Sequence, residues 1–305
     1  MREAGDGPAA PAGREPRLAA ALWRQPRLAT VLGLGFASGL PLPLTFGTLS
    51  FWLAEAGVSR TAIGLFALVG TAYSLKFLWA PLVDALPLPL LTRWFGRRRG
   101  WTLGVQAALI LAIVALGLTD PAADPVPTAI AALAVAFLSA TQDIVIDAYR
   151  IELLPPEAQG LGAAAVQWGY RGGMLAAGAG ALYAAQFGGW HVAYAVMAAL
   201  MLVGVLTVLL SPEPESVDRA TAEPPPPPAT AGAAVRAAAW VRSAVVAPFA
   251  DFARRPGWLA VLLFVVLYKL GDALAGIMSN PLYVELGFSK IEVANVAKVF
   301  GVGAT

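Results

Sequence analysis

Apolar residues gather into long stretches along this chain, each closed by a short turn carrying Arg, Asp, Pro or Gly. A helix needs about 20 apolar residues to cross the hydrocarbon of a bilayer. Seven stretches meet that length, at roughly 28–54, 61–86, 101–119, 126–149, 160–187, 190–211 and 257–284, and an eighth starts near Ser289 and is still running at Thr305. The pattern predicts an all-α polytopic membrane protein.

Composition agrees. Apolar residues make up 58% of the chain and charged residues 13%, where a soluble domain carries about 25% charge. Nine Trp and seven Tyr suit anchoring at membrane interfaces. There is no cysteine and His191 is the single histidine, which excludes disulfides and thiolate chemistry and argues against a zinc site. No nucleophile–base pair and no phosphate-cradling glycine loop is present. The chain therefore reads as a non-enzyme with no cofactor, no metal and no nucleic-acid partner. The bias to Ala, Gly, Pro and Arg points to a GC-rich bacterial genome.

Charge between the stretches sets the sidedness. Fifteen Arg fall in alternate loops, all on one side of the spans: five before residue 28, then Arg93, Arg97, Arg98, Arg99 and Arg150, and five more between 219 and 255. The opposite loops hold Arg60 and Lys290. By the positive-inside rule the N-terminus, the Gly96–Gly100 turn and the long linker are cytoplasmic. The expected organisation is a disordered tail at 1–27 without a cleavable signal, a six-span bundle at 28–211, a linker at 212–256 with the Pro224–Pro228 run, and the start of a second bundle at 257–305. Residues 235–254 are candidates for a surface helix with Trp240, Val245, Val246 and Phe249 on its apolar face. Six spans, a linker and a new set of spans is the plan of a major facilitator fold.

Ionisable residues inside spans are costly and mark pairs, cavities or working sites. The densest group is Gln142, Asp143, Asp147 and Arg150 at the end of the fourth stretch. Asp143 and Asp147 are four apart and share a helix face. Gln142 and Asp143 lie deeper and are expected to face a transport path; Asp147 and Arg150 are expected in a cytoplasmic gate. Arg171 falls roughly 16 Å into the fifth span, in Gly169-Tyr170-Arg171-Gly172-Gly173, where it either pairs with a buried acid or holds an anionic substrate. Lys76 is mid-span in the second stretch. Lys269 and Asp272 in the seventh either neutralise each other, or Asp272 is a protonatable carboxylate restrained by Lys269. Pro41 and Pro43 break the first span, either as a packing kink or to line a cavity.

Asp84 closes the second stretch and Gly96-Arg97-Arg98-Arg99-Gly100 opens the third. The order resembles the signature loop of the major facilitator superfamily, with about ten residues inserted. Its use would be a latch in which Asp84 pairs with Arg97 or Arg98.

Six blocks together resemble the AmpG family of muropeptide permeases: Gly35–Pro41, Leu75–Leu82, Gly96–Trp101, Ala140–Val145, Gly169–Arg171 and Val266–Ala273. The resemblance implies a major facilitator fold in a bacterial inner membrane. It implies proton-driven import of anhydromuropeptides, with membrane lipid as the surroundings. Lys76, Gln142, Asp143, Tyr170, Arg171 and Lys269 would then contact substrate, and Asp143 and Asp272 would couple protons. The wider family includes acetyl-CoA transporters, so another large anion is the competing substrate, and a non-transporting half is a third reading. The family has a complete second half, needed for transport, so 1–305 reads as a fragment.

Overall fold

The structure, a computed structural model, describes residues 26–214 and 252–300 together with positions 239, 242 and 250. The tail, most of the linker and the 235–254 helix with Trp240, Val245, Val246 and Phe249 lie outside the described residues. So do the side chains of 265–266 and 269–277, and with them Lys269 and Asp272. Among the described residues the chain is helical throughout, without strands.

Four helical segments match the first four stretches: α1 Pro26–Glu55, α2 Arg60–Leu78, α3 Arg97–Gly117 and α4 Pro125–Leu153. Pro156–Leu210 is one long helical segment. It breaks at Gly189, whose φ of 79° and ψ of 173° are non-helical. Only glycine takes that backbone without strain, so the segment divides into α5 before Gly189 and α6 after it. Next come α7, Trp258–Glu285, and α8, which starts at Lys290–Glu292 and continues as Val293–Phe300. A capping box between Ser289 and Glu292 starts α8, satisfying two backbone N–H groups.

The kinks follow from proline chemistry. Pro41 has no N–H to give to the Ala37 carbonyl, so that oxygen is left over. Gln142 Nε2, from α4, donates to it at 3.1 Å. The backbone leaves helical geometry at Phe46, with φ −123° and ψ −92°, and α1 resumes at Gly47. In α2, Pro81 cannot bond the Phe77 carbonyl. The preceding turn, Lys76–Leu78, tightens to a 3₁₀ helix, and Ala80–Ala85 follows as a separate short helix. In α5, Ala176–Gly180 is a π-helical turn, and Thr48 Oγ1 donates to its Ala177 carbonyl at 2.8 Å.

The centre of the bundle is the crossing of α1 and α5. A Cβ placed on Gly39 would lie 2.1 Å from the Tyr170 carbonyl oxygen, and one on Gly35 2.4 Å from that of Val166. From the other side, a Cβ on Gly169 would lie 2.1 Å from the Leu32 carbonyl oxygen, and one on Gly173 2.2 Å from that of Phe36. Each helix thus carries a small-xxx-small pair, and backbone meets backbone. With α1 at the core, α4 and α3 pack side by side, α6 lies on α3, and α7 lies on the Gly47–Glu55 half of α1.

Candidate functional site

The α1–α5 crossing places three polar side chains together beside it. Ser38, next to Gly39, donates its hydroxyl to Asp143 Oδ1 at 2.5 Å. Lys76 Nζ, from the tightened turn of α2, lies 3.9 Å from Asp143 Oδ2. Asp143, on α4, therefore meets α1 and α2, and its pairing with Lys76 is a stretched one. Lys76 keeps 38% of its side chain exposed and Asp143 21%, so both are open to a solute.

Gln142, one residue away, is not. It is fully buried, holds the Ala37 carbonyl, and leaves its own Oε1 without a partner. In this conformation it supports the α1 kink and is closed to any solute. Trp79 Nε1 donates to Thr141 Oγ1 at 3.1 Å, and its ring lies tilted against that of Phe137. This fastens α2 to α4 one turn from Asp143. Arg171 is half-buried and makes no ion pair or hydrogen bond among the described residues.

A second polar cluster sits at the end of the bundle that carries the Arg-rich turn. Arg98 is 1% exposed. Its Nη1 donates to Asp84 Oδ1 at 2.7 Å, and its Nε and Nη2 donate to the two oxygens of Glu152 at 2.9 and 2.5 Å. This is the fork-on-carboxylate geometry at which arginine is strongest. Arg97 Nη1 donates to the Asp84 carbonyl at 2.8 Å. Glu213, just past α6, accepts the backbone N–H groups of Arg98 and Arg99 at 2.8 and 2.9 Å. A carboxylate there meets the positive end of α3. Arg99 in turn donates to the Val208 and Leu209 carbonyls, and the Tyr149 hydroxyl donates to that of Pro212. A Cβ on Gly96 (φ 89°) would fall 2.4 Å from the Glu213 carboxyl carbon, so glycine is needed there on two counts.

The sequence anticipated Asp147 and Arg150 in this cluster. Asp147 is exposed and has no hydrogen bond or ion pair among the described residues. Arg150 has none either, and its Nε is buried without a partner. Glu152 and Glu213, which occupy the positions against Arg98, were not singled out from the sequence. The only signals for them were their closeness to Arg150 and to the proline-flanked end of the sixth stretch.

The opposite end is held by different pairs. Arg60 on α2 donates to Glu285 on α7. Lys290 at the start of α8 lies 2.8 Å from Glu55 on α1 and over the Trp190 ring of α6. Trp190 Nε1 also donates to Glu55 at 2.6 Å.

A partly open Lys–Asp–Ser centre thus lies between two ends held by ion pairs, and comparison with known proteins shows the family. The chain is 44% identical over 287 residues to the anhydromuropeptide permease of Escherichia coli (strain K12). That alignment covers 93% of this chain and 54% of the permease. The chain belongs to the AmpG family. A protein named putative transporter AmpG 4 from Rickettsia felis is 36% identical over 286 residues, covering 93% of this chain and 66% of the relative. Residues 28–179 also match the family described as acetyl-coenzyme A transporter 1. This AmpG-family chain spans about half the length of the E. coli permease. With its long apolar helices, it is a multi-pass membrane protein of a transporter family.

Proposed function

We propose that this chain forms the N-terminal bundle, and the start of the C-terminal one, of a proton-coupled importer of anhydromuropeptides in a bacterial inner membrane. The observation that carries the reading is the half-open Lys76–Asp143 pair beside the α1–α5 crossing. Muropeptides carry carboxylates on their peptide stems. A carboxylate arriving at Lys76 competes with Asp143 for the ammonium, and a proton on Asp143 removes the competition. Proton and anion then favour each other's binding at one place, which is what symport requires. In this reading Ser38 steers the Asp143 proton, Tyr170 offers a flat ring and a hydroxyl to the sugars, and Arg171 meets a second anionic group. Lys269 and Asp272 of α7 would complete the site from the other bundle. Asp84, Arg98, Glu152 and Glu213 would latch the cytoplasmic end shut or open.

The test is uptake of labelled anhydromuropeptide by spheroplasts expressing the complete gene product. The match to the acetyl-coenzyme A transporter family supports a second reading, import of a different large anion. Competition separates them. Unlabelled anhydromuropeptide should suppress uptake and acetyl-coenzyme A should not; the reverse order would make the nucleotide thioester the substrate.

Orientation is tested with introduced cysteines, because residues 1–305 contain none. Trp94 is 71% exposed at the Arg-rich end and Leu118 is 72% exposed at the other. In intact spheroplasts an impermeant maleimide should label Leu118→Cys and spare Trp94→Cys. Labelling of Trp94→Cys alone would invert the proposed topology.

A further inference from the structure

Lys298 projects from α8 into the seam where α8 meets α1, α5 and α7. A Cβ on Gly47 of α1 would lie 3.5 Å from its Nζ, and one on Gly178 of α5 would lie 3.7 Å from its Cδ. The same Cβ on Gly47 would be 3.1 Å from Asn280 Nδ2 of α7, so the amine and the amide share one small space. Lys298 is half-buried, and no carboxylate among the described residues pairs with it. An ammonium at such depth without a counter-charge is costly and rarely purposeless. Asn280 is 1% exposed. Its Nδ2 reaches Ser50 Oγ at 3.5 Å, while its Oδ1 is buried without any partner. The Lys298 ammonium and the Asn280 amide nitrogen therefore lie against the same face of Gly47, and no carboxylate among the described residues answers the cation.

We propose that Lys298, beside the Asn280 amide, forms a second binding station for the transported solute, taking a carboxylate on its ammonium. A peptide stem with a free carboxylate presents that group. Gly47 stands nine residues beyond Ser38 on α1, or roughly 14 Å at the rise of a helix. The Lys76–Asp143 station and the Lys298 station thus stand about that far apart along α1, and a solute with more than one stem carboxylate can engage both. The assignment rests on the muropeptide reading above and adds a second point at which a stem carboxylate is held.

The complete gene product is assayed with two labelled probes, an anhydromuropeptide with free stem carboxylates and the same molecule with those carboxylates converted to amides. Lys298→Met should raise KM for the free acid about tenfold or more, and Lys298→Arg should restore most of it. For the amidated probe the wild type and Lys298→Met should give equal KM. An unchanged KM, an equal shift for both probes, or an arginine variant no better than methionine would overturn the station. A binding measurement keeps this separate from the transport reading. The stem peptide alone, without sugars, should raise the Tm of the purified wild type but not of Lys298→Met. If that holds while no anhydromuropeptide is taken up, the transport reading fails and the station stands. If uptake is normal and the peptide stabilises both proteins alike, the station fails and the transport reading stands.

Discussion

Gly39→Ala will destabilise the bundle and abolish uptake, although alanine is the better helix former. In a helix interior the exchange would ordinarily gain up to about 1 kcal/mol. Here the new methyl group would meet the Tyr170 carbonyl oxygen at 2.1 Å. That contact is backbone on backbone, so no side chain can rotate away. The helices must separate, and overpacking of this kind costs about 3 kcal/mol. Separation also carries Ser38 away from Asp143 and moves Tyr170, so the loss falls on the site as well as on the fold. Gly173→Ala should behave the same way, since its methyl would meet the Phe36 carbonyl oxygen at 2.2 Å. Gly172→Ala is the matched control, because its methyl would touch only the edge of the Phe36 ring at 3.6 Å. Thermal unfolding of the purified proteins in one detergent, with uptake measured alongside, reads the difference. A Gly39→Ala protein as stable as Gly172→Ala would mean the crossing is looser than described.

Arg98→Ala should have an effect of similar size at the other cluster. It strips three hydrogen bonds from Asp84 and Glu152 and leaves Glu152, whose side chain is 7% exposed, as a buried charge faced only by the more distant Arg97 guanidinium at 3.7 Å. Breaking a buried pair by removing one partner costs about 3 kcal/mol or more. Arg98→Lys should recover only part, since an ammonium cannot fork onto one carboxylate and reach a second. The double variant Arg98→Met with Glu152→Leu distinguishes a latch from plain structural support. It removes both buried charges, leaving Asp84, whose side chain is 28% exposed, within reach of water, so most of the Tm should return. If the cluster is a latch, uptake stays impaired in that double variant; full recovery of both Tm and uptake would make the cluster purely structural.

What could be read from the sequence was whatever is local to one segment. The apolar stretches located the helices, and the end of one near 187 and the start of the next near 190 located the break between α5 and α6. Pro41 and Pro43 marked the α1 kink. Relations between segments could not be read. Apolar spans carry no periodicity that says which neighbour they touch, so the crossing of Gly35 and Gly39 on Gly169 and Gly173 could not be read. Gln142 looked like a polar group aimed at a cavity. Its role at the Ala37 carbonyl is set by a proline on another helix, 101 positions earlier. Glu152 and Glu213 lay at the ends of stretches where an acid looks like ordinary solvated charge. Their place against Arg98 appears only when α2, α3, α4 and α6 are assembled. Asn280 read as an unremarkable residue in an apolar span, for the same reason.

The central claim is that Asp143 joins proton and solute at Lys76. Its most direct test is uptake of labelled anhydromuropeptide by spheroplasts of the complete gene product, with and without an imposed inward proton gradient. Wild-type uptake should rise steeply with the gradient. Asp143→Asn keeps the shape and the hydrogen bond from Ser38 but carries no titratable charge, so its uptake should be low and indifferent to the gradient. An Asp143→Asn protein that responds to the gradient as the wild type does would contradict the account.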